Sequence, residues 1–293
     1  MIPPVCGRDA QAQPVRDLVV GRRAWITGLA ITLSGCSPAA LLNATVSRDD
    51  YSREKDIPYG RLDRQKLDFY QPKVRRADGK AVIFFYGGSW DSGSKDDYVF
   101  VGQALAARGI TVIIADYRLY PQVRFPAFLE DAAQATRWAA DRVGVDKLFI
   151  MGHSAGGHIA LMLAANTPYL AGVGVDRMRL RGVIGISGPY DFLPLTAHNL
   201  IDIFGGPNNP AVEPITFARA PLPSALLVQG MADSTVYPRN AENLAAAWRM
   251  AGAPVELKLY PGVGHIGIIV AFSDLLRERA PTLRDVTAYI DAT

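Results

Sequence analysis

Three residues able to carry out acyl transfer follow three predicted strands of this 293-residue chain. Ser154 is the serine of a G-x-S-x-G pattern, which lies between a predicted strand and an Ala- and Leu-rich predicted helix. Asp233 and His265 follow two later strands, so the chain order is Ser, Asp, His. In acyl transfer, an imidazole activates the serine hydroxyl and a carboxylate holds that imidazole in the correct tautomer. The pattern predicts a hydrolase with Ser154, Asp233 and His265 as its catalytic residues.

The glycines on either side of Ser154 explain how such a serine would be presented. A strained bend from strand to helix brings neighbouring backbones close together, and side chains at Gly152 or Gly156 would collide there. The bend exposes the hydroxyl and places it at a helix N-terminus, whose dipole favours developing negative charge. The alternative is a plain glycine turn with a capping serine. The strand before the pattern and the helix after it argue against that alternative.

Four histidines compete for the role of general base. His153, beside the nucleophile, is expected to point away from it because side chains alternate along a strand. His158 is expected to pack or hydrogen-bond beneath the sheet, and His198 to be exposed in a polar stretch. His265 follows a loop with two glycines at the end of the last predicted strand, which is where ligands bind in open α/β sheets. These positions favour His265 as the base.

Two adjacent glycines form a candidate oxyanion loop. Gly87 and Gly88 follow a predicted strand, and glycines at this point let backbone N–H groups face a cleft without steric obstruction. Together with the N–H of Ala155, they can donate to the oxyanion of a tetrahedral intermediate. The alternative is a simple Gly-Gly turn in which Trp90 is a core residue.

The segment Tyr86-Gly87-Gly88-Ser89-Trp90 resembles a known loop. It is similar to the His-Gly-Gly-x-Trp loop of the carboxylesterase and kynurenine-formamidase-like branch of the α/β-hydrolases, related to the hormone-sensitive-lipase group. The resemblance extends over roughly residues 56–292 and implies the α/β-hydrolase fold. The segment 116–119 also matches the family, in which its Asp and Arg brace loops under the site. Tyr86 stands where the family has a bracing His, so the geometry of this loop is expected to differ.

The resemblance also separates two candidates for the acid. Asp191, which follows the predicted strand Gly182–Ile186, is the other candidate. The pattern Gly-x-x-Asp-x-x-Val at 230–236 resembles the acid loop of this family and of related peptidases. It favours Asp233, which would hold His265 in the correct tautomer and stabilise the imidazolium as it forms.

The rest of the chain predicts an α/β fold with a mostly parallel central sheet flanked by helices. Short apolar runs without polar alternation are typical of buried strands. They are Leu67–Tyr70, Ala81–Tyr86, Thr111–Ala115, Lys147–Met151, Gly182–Ile186, Ser224–Gln229 and Val255–Tyr260. Segments with helical periodicity are Tyr98–Arg108, Pro126–Arg142, Ala155–Asn166, Arg239–Ala251, Ile266–Arg279 and Pro281–Asp291. Alternation of strands and helices indicates βαβ crossovers.

Composition argues against several other classes of function. The chain is 49% hydrophobic and 20% charged, which is ordinary for a globular enzyme, and its formal net charge is +3. Runs of Lys and Arg with interleaved aromatics do not occur, so nucleic acid is not an expected partner. The two cysteines and four scattered histidines lack the spacing of a metal site. We therefore expect neither a metal nor another cofactor.

The N-terminus has the features of an export signal. Arg22 and Arg23 precede an apolar stretch at 24–33, which is about half as long as a membrane-spanning helix requires. The ending Leu-Ser-Gly-Cys at 33–36 resembles a bacterial lipoprotein signal, and this resemblance implies a lipid anchor on Cys36. A buried helix at 24–33 is the alternative. The paired arginines also resemble a twin-arginine signal imperfectly, so the export route stays open.

These features divide the chain into a signal segment at 1–35, a polar tether at 36–55 and an α/β-hydrolase catalytic domain at 56–293. We expect an exported protein on the periplasmic side of a bacterial cell envelope, with membrane contact through the lipid anchor. The sequence does not determine an oligomeric state.

The motifs together predict hydrolysis of carboxylic esters with small or short-chain acyl groups. Only about 32 residues separate Asp191 from the next strand, too few for a large lid domain, so the cleft is expected to be open. Trp90 and Tyr190 are candidate substrate-binding residues, and Tyr98 and Phe192 are further candidates for the cleft wall.

Three alternative functions remain open at this point. An arylformamidase of the kynurenine type would be cytosolic, so the export signal argues against it. A peptidase-like acyl hydrolase is disfavoured because the chain has no room for a second domain to limit access. A non-catalytic envelope-binding lipoprotein would usually have lost the Ser or the His, whereas this chain keeps both.

Overall fold

The computed structural model describes residues 38–293, with side chains from Leu41 onward. The expected signal segment at 1–35 and the expected lipidation site Cys36 lie outside the described residues. None of the helices in the described region combines the length and the apolar character that crossing a membrane requires.

The described residues form one sheet of eight strands. The strands are β1 Tyr51–Pro58, β2 Lys66–Pro72, β3 Ala81–Phe85, β4 Thr111–Ala115, β5 Leu148–His153, β6 Gly182–Ile186, β7 Ala225–Gly230 and β8 Val255–Tyr260. Their order across the sheet is β1-β2-β4-β3-β5-β6-β7-β8. β2 pairs antiparallel with β1 and with β4, and the remaining pairings are parallel. The predicted fold class, a mostly parallel α/β sheet, is confirmed.

All seven predicted strands occur, and β1 is the strand that the sequence analysis missed. β1 has the sequence YSREKDIP, in which charged residues outnumber apolar ones, so it lacks the apolar run used to predict the others. It lies at an edge of the sheet, where charged side chains discourage pairing with a further strand.

Helices connect the strands or follow them. They are α1 Pro38–Ala44, α2 Val99–Ala106, α3 Ala127–Val143, α4 Ala155–Ala165, α5 Thr167–Gly172, α6 His198–Phe204, α7 Arg239–Met250, α8 Gly267–Val270 and α9 Thr282–Ala292. The helix predicted at 266–279 is divided into α8 and a 3₁₀ helix at Asp274–Arg279, because the Ser273 hydroxyl caps a new turn by accepting from the Leu276 N–H. α1, α5 and α6 were not predicted, since helices of six or seven residues show too little periodicity.

The folded domain begins before residue 56, where the sequence analysis placed its start. Leu42 of α1 and Tyr51 of β1 are buried in the core. The Asn43 side chain donates to the Asp96 carbonyl at 2.7 Å and accepts from the Phe100 N–H at 3.2 Å. Much of the segment expected to be a polar tether is therefore part of the domain, because its polar groups bond to the domain and its apolar side chains pack against it.

The parallel strands bring the candidate residues to one edge of the sheet. β3, β5, β6 and β7 are buried along their whole length, which fixes their positions in the core. Gly87 follows β3, Ser154 follows β5, Asp233 follows β7 and His265 follows β8. Since these strands are parallel, all four residues lie at their carboxyl ends, where α/β sheets bind ligands.

The connection from β6 to β7 carries no large lid. It contains α6 and two short 3₁₀ helices, Pro210–Val212 and Pro214–Phe217. The structure thus agrees with the expectation from the length of this segment, which we call the cap segment (residues 187–224).

Candidate active site

Ser154, His265 and Asp233 form one chain of hydrogen bonds. His265 Nε2 lies 2.9 Å from Ser154 Oγ, and His265 Nδ1 lies 2.8 Å from Asp233 Oδ2. These partners assign the tautomer: Nδ1–H donates to the carboxylate, and Nε2 accepts from the serine hydroxyl. The structure therefore brings together the three residues that the sequence analysis selected.

A strained backbone holds the Ser154 side chain at this point. The φ angle of Ser154 is +54°, a left-handed value that few non-glycine residues adopt. A Cβ on Gly152 would lie 2.0 Å from the Gly156 carbonyl oxygen, and a Cβ on Gly156 would lie 1.9 Å from that of Phe85. Neither position can hold a side chain, which is the steric reason for both glycines.

Asp233 is buried, and its two oxygens are held by several donors. Oδ1 accepts from the N–H groups of Thr235 at 2.9 Å and Val236 at 2.8 Å, and Oδ2 also accepts from Gln229 Nε2 at 3.2 Å. Burial acts to raise the pKa of Asp233, but the bonds from His265 and the two amides outweigh it and lower the pKa below its ordinary value. The carboxylate is thus kept charged and fixed in orientation beside the base.

Asp191, the other candidate for the acid, is not part of this chain of hydrogen bonds. Asp191 Oδ2 accepts from Asn243 Nδ2 at 2.5 Å, and the Asp191 N–H donates to Asn240 Oδ1 at 2.9 Å. These contacts join the cap segment to α7, and Asp191 makes no hydrogen bond to His265.

The loop after β3 passes directly beside the nucleophile. A Cβ on Gly87 would lie 2.9 Å from the Ser154 Cβ, so only glycine permits this approach. Gly88 has φ +134° and Ser89 has φ +49°. Burial raises the pKa of Tyr98, whose ring lies 5.8 Å from that of Tyr86, to about 12. The Gly87 N–H makes no backbone hydrogen bond to another of residues 38–293, so Gly87 stays a candidate oxyanion donor as predicted.

Four amides are therefore candidate oxyanion donors, those of Gly87, Gly88, Ser89 and Ala155. The N–H groups of Gly88 and Ser89 donate to no acceptor among residues 38–293. Ala155 is the first residue of α4, where an N–H has no intrahelical partner. Gly87, Gly88 and Ala155 were predicted, and Ser89 was not, because its left-handed backbone cannot be read from the sequence.

Tyr86 braces this loop through a buried polar network. Arg64 Nη2 donates to Tyr86 Oη at 2.7 Å and to the Gly93 carbonyl at 2.9 Å, so one guanidinium holds both ends of the loop. The Tyr86 hydroxyl donates to Asp116 Oδ1 at 2.9 Å, which also accepts from the Lys95 N–H at 2.8 Å. Burial raises the pKa of Tyr86 well above its ordinary value, so the phenol stays neutral. Arg64 was missed because no motif marks it.

Two further histidines of the nucleophile segment are buried and neutral. His153 Nε2 lies 3.2 Å from the His265 carbonyl oxygen, and the two rings lie 4.9 Å apart, so His153 packs against the base loop. Burial and the neighbouring His265 lower the pKa of His153 to about 3. His158 Nε2 lies 2.7 Å from the Val212 carbonyl oxygen, and burial lowers the pKa of His158 to about 4. His158 hydrogen-bonds and packs as expected, and His198 is exposed as expected.

A cleft of about 420 Å³ opens beside Ser154. Its walls come from the oxyanion loop, the cap segment and the residues after Asp233, and most of them are apolar. Trp90, Phe192, Leu195, Leu200, Val236 and Tyr237 supply these walls.

Trp90 and Phe192 thus line the cleft as the sequence analysis expected, whereas Tyr98 and Tyr190 do not. The Tyr190 ring is fully buried beneath the cleft, packed against Gly157, Gly185 and Gly188. Its assignment as a substrate-binding residue was wrong, because three glycines leave space for its ring in the interior.

The two buried histidines should make folding stability depend on pH. Below about pH 6.5 the unfolded chain protonates these rings while the folded chain excludes the protons, so the free energy of unfolding falls as pH drops. At a pH two units below the pKa of histidine in the unfolded chain, each ring lowers the free energy of unfolding by about 2 to 3 kcal/mol. Urea unfolding at about pH 7 and about pH 4.5 measures the difference. His158→Gln, whose amide can still donate to Val212, should lose roughly half of it; the same pH dependence in both proteins would contradict this account.

Removing the Tyr86 hydroxyl should impair turnover more than binding. Tyr86→Phe keeps the ring but removes the hydroxyl that bridges Arg64 and Asp116 and leaves only their direct ion pair at 3.6 Å, so the loop amides lose alignment with the transition state. We expect kcat to fall by roughly tenfold and KM to change by less than about threefold.

The matched control is Tyr190→Phe, because the Tyr190 hydroxyl has no hydrogen-bond partner among the described residues. Steady-state kinetics on an ester of measurable turnover compares the two variants. Equal losses in both, or a change in KM alone for Tyr86→Phe, would argue against a bracing role.

Comparison with known proteins places the chain in a family. The BD-FAE family model matches residues 67–248, more than half of the chain. A probable isoprenylcysteine alpha-carbonyl methylesterase from Oryza sativa subsp. japonica is 30% identical over 95% of this chain and 74% of its own length. A kynurenine formamidase from Danio rerio is 29% identical over 48% of this chain and 47% of its own. The chain spans little more than half (57%) of the length of two other plant isoprenylcysteine methylesterases.

A solved structure agrees in fold. Esterase 2 from Thermogutta terrifontis, with butyrate bound, has a TM-score of 0.64 at 25% identity, covering 82% of this chain and 93% of its own. The motifs that suggested the resemblance, the sheet topology and these relatives point the same way. The chain therefore belongs to the BD-FAE family, with the α/β-hydrolase fold and carboxylic ester hydrolase activity.

Proposed function

We propose that this chain is a serine esterase that cleaves carboxylic esters of small or short-chain acyl groups through an acyl-enzyme. The observation that carries the proposal is the hydrogen-bond chain Ser154–His265–Asp233, in which the imidazole lies 2.9 Å from the hydroxyl and 2.8 Å from the carboxylate. This arrangement supplies a nucleophile, a base within proton-transfer distance and an orienting acid.

In the acylation step, His265 Nε2 takes the proton of Ser154 as Oγ bonds to the carbonyl carbon of the ester. The negative charge that develops on the carbonyl oxygen is held by backbone N–H groups from the set Gly87, Gly88, Ser89 and Ala155. His265 then gives its proton to the leaving alcohol oxygen as the ester C–O bond breaks, which leaves an acyl group on Ser154.

In the deacylation step, water attacks the acyl carbon and passes a proton to His265. Collapse of the second intermediate breaks the bond to Oγ, and His265 returns the proton to Ser154. The Asp233 carboxylate stays charged throughout and stabilises the imidazolium in both steps.

The size and lining of the cleft support small acyl substrates. A volume of about 420 Å³ lies at the low end of the range for small-molecule pockets. Trp90 and Phe192 offer apolar surface to an acyl chain, and the likeness to a butyrate-bound esterase points the same way. Partial likeness to a kynurenine formamidase makes formanilides a second candidate class, and the same residues would cleave an amide by the same steps.

Replacing the nucleophile should abolish activity. Ser154→Ala removes the hydroxyl to which the acyl group bonds, so hydrolysis of 4-nitrophenyl acetate and butyrate should fall at least about a thousandfold. A fluorophosphonate probe should label the wild type and not the variant. Ser52→Ala, an exposed serine of β1, is the control and should keep full activity and labelling.

Retained activity or labelling in Ser154→Ala would overturn the proposal. A wild type that neither labels nor hydrolyses any ester would favour a non-catalytic envelope-binding protein. Turnover of formanilide above that of phenyl acetate would favour the formamidase candidate.

We also propose that the chain is exported to the bacterial cell envelope and anchored by lipid on Cys36. The support is the basic pair, apolar stretch and Leu-Ser-Gly-Cys ending of the sequence. α1 begins at Pro38, so an anchor on Cys36 would leave almost no tether between the lipid and the domain.

Cys36→Ser should therefore move the protein from the membrane fraction to the soluble fraction of a Gram-negative host, because the acylated thiol is lost. Cys6→Ser changes the other cysteine and should leave fractionation unchanged. Immunoblots of the two fractions measure the distribution, and membrane retention of Cys36→Ser would contradict the anchor.

A further inference from the structure

We propose that Arg239 binds an anionic group of the substrate, so that the preferred esters carry a carboxylate. This inference rests on the proposed function, because it assigns a ligand group to the cleft beside Ser154. Arg239 and Ser154 line the same cleft of about 420 Å³, so one small molecule can reach both.

The cleft has a positively charged side chain and no negatively charged one among its described lining residues. Among the described residues that line it, Arg239 is the one that carries a full charge, and the others are apolar or neutral. Its neighbour Asn240 is already occupied, since Oδ1 accepts from the N–H groups of Tyr190 at 2.8 Å and Asp191 at 2.9 Å. The cleft therefore offers a ligand one cation and no anion.

The Arg239 guanidinium has no hydrogen-bond or ion-pair partner within residues 38–293. Two carboxylates of the cap segment, Asp191 and Glu213, are engaged elsewhere. Asp191 accepts from Asn243 at 2.5 Å, and Glu213 accepts from two backbone N–H groups of the cap segment. Arg249 is also exposed and without such a partner, whereas Arg124 forms a forked pair with Asp202 at 2.8 Å and 2.9 Å, so it is the position in the cleft that sets Arg239 apart.

Helix stability does not explain an arginine at this position. Arg239 is the first residue of α7, where the helix dipole disfavours a cation. Arg249 lies in the last turn of the same helix, where a cation is favoured. The two arginines are both exposed, so they differ in placement relative to the helix and the cleft rather than in burial.

A carboxylate is the group that satisfies this arrangement. Guanidinium and carboxylate match as planar, two-pronged partners that form two parallel charge-assisted hydrogen bonds. The uncharged part of the same ester would lie against Trp90 and Phe192. The substrate class is therefore a small ester with an aliphatic or aromatic body and a carboxylate separated from the ester bond by a few atoms.

The test uses two pairs of esters that differ by one carboxylate. Mono-4-nitrophenyl glutarate against 4-nitrophenyl butyrate places it in the acyl part, and 4-acetoxybenzoate against phenyl acetate places it in the alcohol part. In at least one pair, Arg239→Met should lower kcat/KM for the charged ester by roughly tenfold and for the neutral ester by less than about twofold. The pair that responds identifies which side of the ester bond faces Arg239.

Arg249→Met removes the same charge from the same helix outside the cleft, so it should leave both ratios unchanged. Equal losses for both members of each pair in Arg239→Met, or no loss in either pair, would overturn the proposal.

Binding separates this inference from the proposed catalytic function. Calorimetric titration of the Ser154→Ala protein with 4-acetoxybenzoate and phenyl acetate, and with mono-4-nitrophenyl glutarate and 4-nitrophenyl butyrate, needs no turnover. The charged ester of the responding pair should bind roughly tenfold more tightly, and Ser154→Ala with Arg239→Met should lose that preference. Failure of wild-type turnover would count against the esterase, whereas absence of any charge preference in binding would count against Arg239.

Discussion

The site depends on how closely two backbone segments approach at the carboxyl edge of the sheet. The bend after β5 and the end of β3 touch through backbone atoms, since a Cβ on Gly156 would lie 1.9 Å from the Phe85 carbonyl oxygen. Parallel pairing of β3 with β5 fixes the height at which this contact occurs. The strained φ of Ser154 persists because the packed backbones on both sides leave the chain no alternative path. The position of the hydroxyl relative to the imidazole follows from that contact.

The groups beside the base His265 favour the positive charge that it takes up during turnover. The carboxylate of Asp233 is kept ionised by hydrogen bonds from His265 and from the N–H groups of Thr235 and Val236, although burial opposes ionisation. His153, whose ring lies 4.9 Å from that of His265, is kept neutral by burial. A second cation at that distance would disfavour the imidazolium that forms during turnover. The base therefore faces one anion and a neutral ring, which is the combination that stabilises its charged form.

Sequence patterns predicted those parts of the molecule whose chemistry is local. Three patterns each constrain a short backbone segment: the G-x-S-x-G pattern, the Asp233 loop and the glycines before His265. Buried strands can be predicted because they are short apolar runs. The edge strand β1 was missed because its charges are satisfied by neighbours distant in sequence, as when Arg53 Nε donates to Asp68 at 2.8 Å. The role of Arg64 depends on tertiary packing alone, so no local pattern could have revealed it.

The cap segment shows how a cleft wall can be fixed without a lid domain. Four successive N–H groups, at 190–193, are held by two buried side chains: Asn240 Oδ1 accepts the first two and Glu213 Oε1 accepts the last two. Backbone amides in an irregular loop would otherwise bond to water and let the loop move. Because these acceptors lie on α7 and on the segment that hydrogen-bonds to His158, the wall that carries Phe192 is tied both to the acid loop and to the nucleophile helix. A change in the shape of the cleft would therefore have to displace the elements that position Ser154 and Asp233 as well.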